Sequence, residues 1–137
     1  MTTNRDSFRA RTIGAQKNFS KETLSLTLDD GQPLTVVVQQ PTVADRALVL
    51  DAARKIVDDP EDPKKKTVVV DTARLQVEAV IATARTEDGE KAFDDADRDT
   101  LLAQPAGGWF DEMAAAAMRK LNVDLSDARK NSAPTPS

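Results

Sequence analysis

The chain has 137 residues, a formal net charge of −4 and 39% apolar residues, and it contains no Cys, His or Tyr. Those absences exclude disulfides, Cys/His zinc sites, thiol chemistry and every catalytic scheme that needs an imidazole. One domain's worth of chain with 31% charged residues predicts a lean core under a well-solvated surface. Its slight acid excess gives no general attraction to phosphate backbones.

No run approaches the roughly 20 apolar residues that span a bilayer. The first residues, MTTNRDSFRARTIG, lack the apolar centre of a secretory signal. The expected compartment is therefore a reducing cytoplasm. Over 1–21 neither a period of 2 nor one of 3.6 persists, and the stretch reads as a flexible polar arm carrying Arg5, Arg9, Arg11 and Lys17.

From Glu22 the pattern changes. Leu24, Leu26 and Leu28 alternate with Thr23, Ser25 and Thr27, as in a half-buried strand. Asp30-Gly31 supplies a turn, and the β-branched run to Gln40 returns before Pro41 removes a ladder donor. The spacing predicts a β-hairpin over 22–40. A hairpin alone is marginal, so its Leu face is expected to pack on Leu50, Val77 and Val80.

Thr42 reads as an N-cap with Asp45 at the third helical position. The helix over about 43–57 takes Val43, Ala47, Leu50 and Val57 as its stripe, widened by Val49, Ala53 and Ile56. A charged loop, Asp58 to Lys66, follows. Its acids come first and its lysines last, so each block sits at the helix end that the macrodipole disfavours. Lys64, Lys65 and Lys66 offer a nucleic-acid contact in principle, but beside four acids they read as a solvated loop.

A second helix is expected over 68–85, with Val70, Ala73, Val77, Val80, Ile81 and Ala84 at helical steps. Val68 to Val70 would also suit a short strand. The unbroken Ala-rich run to Arg85 favours the helix, and it places Glu78 at the solvent edge of the stripe. Asp88-Gly89 marks another turn. Asp94 or Asp95 caps a short helix over 96–104, Ala106 to Gly108 break the chain, and a last helix covers 109–122. Residues 123–137 read as a flexible tail. The predicted fold class is mainly α (α+β): an N-terminal hairpin on three to four helices in a single unit over 22–122, with disordered termini.

Few residues point to chemistry. Asp95-x-Asp97-x-Asp99 imitates the start of a calcium loop, but Thr100 and Ala106 stand where that loop needs Gly and Glu. Gly107-Gly108 precedes a helix without the preceding strand or the following Lys-Ser of a phosphate loop. No metal, cofactor or catalytic residue is expected. The candidate partner surface is the last helix. There Trp109 and Phe110 can anchor, and Ala114 to Ala117, flanked by Met113 and Met118, give a smooth, adaptable face. The same side chains could instead form core.

The order of these features resembles the tail assembly chaperones of long-tailed bacteriophages. The resemblance lies in the polar arm, the strand ending Val36-Val-Val-Gln-Gln-Pro-Thr-Val-Ala-Asp-Arg46, and the two helices about a charged loop. It continues in Glu87-Asp-Gly-Glu-Lys-Ala-Phe-Asp94, Leu101-Leu102, Pro105 and the apolar last helix. It covers roughly residues 22 to 122. It implies a non-enzymatic protein of the host cytoplasm, absent from the finished virion, that binds the tape-measure protein and keeps it soluble. It also implies, in members that frameshift, a longer form that recruits the tail tube protein. Neither nucleic acid nor membrane is an expected partner, and self-association stays open. The alternative reading is a small structural connector or adaptor that remains in the phage particle.

Overall fold

The computed structural model describes residues 4–123, so the expected tail lies outside the described residues from position 124 onward. Within the expected arm the chain forms a helix, α1 (Asn4–Arg11), that buries no residue. A helix without a core face leaves no apolar period to read. Its local signals are Asp6 in the first turn, Arg9 and Arg11 in the last, and a Thr12 hydroxyl that donates to the Phe8 carbonyl at 2.8 Å.

Strands β1 (Lys21–Thr27) and β2 (Pro33–Gln39) form the expected hairpin, with Leu24 opposite Val36 and Leu26 opposite Leu34. The Leu28 amide donates to the Gln32 carbonyl at 3.0 Å, and Gly31 takes φ +77°, which the turn requires. Leu26, Val36 and Val38 are buried, while Leu24 and Leu28 pack at the edge of the same core.

The two expected long helices are each shorter, and a second hairpin lies between them. Helix α2 (Val43–Ala53) is capped by the Thr42 hydroxyl on the Asp45 amide at 3.0 Å, but it stops four residues before Val57. The chain then forms β3 (Arg54–Asp58) and, after the charged loop, β4 (Lys66–Val70), paired antiparallel. The physical reason is the β-branched content of Ile56, Val57 and Val68 to Val70, which suits a pleated ribbon better than a helix. The odd charge order has the same explanation. These charges stand at strand ends, so Asp58 faces and pairs with Lys66 across the ribbon. The turn closes through the Asp59 amide on the Lys65 carbonyl at 3.0 Å, with Asp59 and Asp62 carboxylates accepting from the amides of Glu61 and Lys64.

Helix α3 (Thr72–Thr83) starts at Asp71, whose carboxylate accepts from the Arg74 amide at 3.1 Å. It runs directly into β5 (Ala84–Arg85), which pairs with β2 and gives the sheet order β1-β2-β5. The turn after it contains Gly89 at φ +88°. A 3-10 turn, Asp95–Asp97, leads into α4 (Arg98–Leu102). Its cap is Asp94, which accepts from the Ala96 amide while the Asp97 carboxylate accepts from the Asp94 amide, both at 2.9 Å. Helix α5 (Trp109–Leu121) ends at Asn122 in the left-handed region.

The core forms around α3. Helix α2 lies against it on one side and α5 on another, with α4 and β2 closing the rest. The hairpin leucines share one core with Val77 and Val80, and Leu50 packs at its margin. The element lying directly on β1 and β2 is α5, however, helped by an Arg119–Glu22 ion pair at 2.7 Å. Leu26 is 1% exposed. A Leu26→Asp substitution strands a charge there and should lower stability by about 4 kcal/mol. Denaturant unfolding checks this, and an unchanged midpoint would show the hairpin to be outside the core.

Candidate functional site

Helix α2 is apolar on two faces. Val49 and Ala53 are buried and Leu50 is half-buried, which defines its inner face. Val43, Ala44, Ala47 and Leu48 are all exposed. Their spacing of one, four and five residues puts them side by side on the outer face. Val43 is 76% and Leu48 is 66% exposed, so the outer face is open to solvent along nearly two turns. Val43 and Ala47 were expected inside. The buried stripe is rotated from that expectation: Val49, Leu50 and Ala53 turn to the core, and α2 packs on α3.

Two hollows flank this ridge. One, of about 460 Å³, lies between the Thr12–Phe19 segment and Pro41, Thr42 and Val43, with Phe19 on its wall. The other, of about 270 Å³, has Leu48, Ile81 and Ala82 on its apolar side and Asp45, Arg85 and Lys91 on its polar side. In it the Arg85 Nε is buried without a hydrogen-bond partner, a rare condition for a guanidinium.

At the base of the second hollow, Glu78 is buried at 7% exposure rather than at a solvent edge. Arg74 donates to its Oε1 at 2.8 Å from one turn earlier on α3. Arg98 on α4 grips both oxygens, with Nη2 to Oε2 at 3.1 Å and Nε on Oε1. Arg98 also reaches the Asp95 carboxylate at 3.0 Å. Burial opposes ionisation of Glu78, but hydrogen bonds from Arg98 and Arg74 and their charges outweigh it, holding its carboxyl below the usual range. The arrangement is a structural clamp. Its carboxylate has two cationic partners and is set up to stay ionised, not to shuttle protons.

The sequence-derived partner residues sit mostly inside. Phe110, Met113 and Ala117 are 7%, 2% and 0% exposed and belong to the core, so that face of α5 closes on α3 and the hairpin. Trp109 and Met118 are half-buried and are the members of the set open to a partner in this conformation. Trp109 stacks edge-on to Phe110 with ring centroids 6.3 Å apart. The acidic triplet is likewise engaged: Asp95 holds Arg98 and Asp97 caps Asp94. The Gly107 amide donates to the Asp111 carboxylate at 2.6 Å, which fills the helix start that a phosphate would need. Among the described residues there is no group of three or more metal-ligating acids. No described helix is long and apolar enough to cross a membrane.

The outer α2 face was missed, yet it had a signal. Apolar residues at 43, 44, 47, 48, 49, 50, 52 and 53 exceed what one buried face can use.

No known family profile matches the chain, and no curated protein sequence matches it. Among solved structures it is similar to the tail assembly chaperone of bacteriophage HK97. The identity is 11% and the TM-score 0.47, over 87% of this chain and 100% of that one.

The clamp makes a pH-dependent contribution whose sign is fixed. The folded-state pKa of Glu78 lies below its unfolded value. Its stabilisation is therefore complete above the unfolded pKa and is lost as pH falls through the folded one. Thermal melts of Glu78→Gln should show a loss of about 3 kcal/mol at pH 7, with a shallower decline than wild type below about pH 4. Parallel declines in the two proteins would contradict a paired, ionised Glu78.

Proposed function

We propose that this chain is a tail assembly chaperone that works by binding, holding the tape-measure protein soluble in the host cytoplasm until the tail tube forms around it. The observation that carries the reading is the outer face of α2, where Val43, Ala44, Ala47 and Leu48 stand exposed between two hollows. A contiguous apolar face on a small acidic protein marks an interaction surface. Flanking hollows suit a helical partner that presents apolar residues at steps of three and four.

The order of sequence features supports the choice of partner, as does the chemistry of the task. A long helical chain with exposed apolar stripes needs a keeper that covers them and adds charge. The net charge of −4 serves the second purpose. In the hollow beside Leu48, the unpartnered Arg85 Nε–H would donate to a carboxylate of the partner next to its apolar stripe.

Co-expression tests the proposal. The wild-type chain should co-purify with its tape-measure protein and keep it soluble. The double substitution Val43→Glu with Leu48→Glu should weaken that binding by roughly tenfold or more, since it replaces apolar burial with charge. Both positions face solvent, so the variant's own stability should stay within about 0.5 kcal/mol of wild type. Equal yields of soluble tape-measure protein with wild type, variant and no chaperone would refute it. Recovery of the chain from purified particles would favour a connector instead.

A further inference from the structure

The β3–β4 ribbon is a two-stranded sheet whose outer edges pair with no other strand among the described residues. Such edges are templates for another strand. Its hydrogen-bond parity is fixed by its ends: the Asp71 amide donates to the Ala53 carbonyl at 2.8 Å, and the Asp59 amide to the Lys65 carbonyl at 3.0 Å. Odd-numbered residues of β3 therefore bond inward to β4. The amides and carbonyls of Ile56 and Asp58 and the carbonyl of Arg54 point outward, while the Arg54 amide closes α2 on the Asp51 carbonyl. The same three residues share one side-chain face with Val70, Val68 and Lys66, and Ile56 is 69% exposed.

From this edge we propose that the chain forms a two-fold symmetric dimer by antiparallel pairing of β3 with β3 of a second copy, centred on Ile56. The segment Arg54-Lys-Ile-Val-Asp58 is complementary to itself in that register. Ile56 meets Ile56, Arg54 meets Asp58, and Asp58 meets Arg54, and all of their backbone groups except the Arg54 amides, which bond Asp51 in their own chains, lie on the outward edge. On one face the four-stranded ribbon then carries an unbroken row, Val68–Ile56–Ile56–Val68, and beside it a ladder in which Asp58 lies between Lys66 of its own chain and Arg54 of the second copy. The present partners of these charges, Asp51 for Arg54 and Lys66 for Asp58, are exposed pairs that can be shared at little cost.

The other free edges do not offer this match. On β4, pairing about Val68 sets Lys66 against Val70. On β1, the outward-bonding residues Thr23, Ser25 and Thr27 provide neither charge complement nor an exposed apolar side chain. The contact is isologous and closes on itself, so it yields dimers rather than fibres. The inference is independent of the proposed tail-assembly role.

Sedimentation equilibrium of the full chain across a concentration series tests it, using Arg54→Asp and Asp58→Arg. Wild type should dimerise reversibly. Each single variant sets like charges opposite each other twice and should dimerise about tenfold more weakly or worse. An equimolar mixture of the two variants restores Asp–Arg pairs at both ends, and it should associate as wild type does. That rescue requires both variants to be folded, so it separates lost pairing from lost structure. A wild type that stays monomeric, variants that dimerise as well as wild type, or a mixture no better than its components would overturn the proposal.

Discussion

Helix α3 is buried on most of its circumference, and everything around it has to close one of its sides. Leu75, Val77, Ala79, Val80 and Ile81 are buried through the middle of the helix, with Gln76 half-buried, and Glu78 is buried among them. A buried carboxylate is tolerable only with partners, so the position of α4 follows from the need to bring Arg98 to it. The other neighbours answer the apolar demand. Helix α5 supplies small residues, Ala114, Ala116 and Ala117, that let its backbone approach closely, and α2 supplies Val49 and Ala53. Its end runs directly into β5, which ties the helical layer to the hairpin sheet.

With the core so arranged, several large apolar side chains stay exposed among the described residues, and two of these places bear on partners. One is the outer face of α2. The other is the β3–β4 ribbon, which grows out of the ends of α2 and α3 and carries Ile56 in the open. The first is a helix face between hollows and the second a strand edge, so they call for different occupants. The proposals give the first to a helical partner and the second to another copy of the chain. The two are compatible within one assembly, because they use different residues and different backbone groups.

Much of this fold was legible in the sequence. The alternation of Leu24, Leu26 and Leu28 and the Asp30-Gly31 turn define the first hairpin, since period and turn chemistry agree there. Asp94 announced its cap, and the last helix carried a single well-defined apolar face. The second hairpin was hidden because five-residue strands are too short to break a helical period, and Val57 and Val70 fit either pattern. The charge order across Asp58 to Lys66 was the better guide, being unfavourable for helix ends and favourable for facing strands. Glu78 had a visible partner in Arg74 one turn away, but Arg98 stands 20 residues distant and only the tertiary fold brings it near. For α2 the difficulty was an excess of signal: two overlapping stripes satisfied the same period, and the neighbouring helix decided which one went inside.

The proposed function places the partner on the outer face of α2 rather than on α5. Hydrogen–deuterium exchange of the chain, alone and mixed with the tape-measure protein proposed as its partner, distinguishes the two faces. A partner on α2 should slow exchange over residues 43–50 and the adjoining 12–19 segment and leave 110–121 unchanged. Protection confined to 109–121, with 43–50 exchanging as in the free chain, would contradict it.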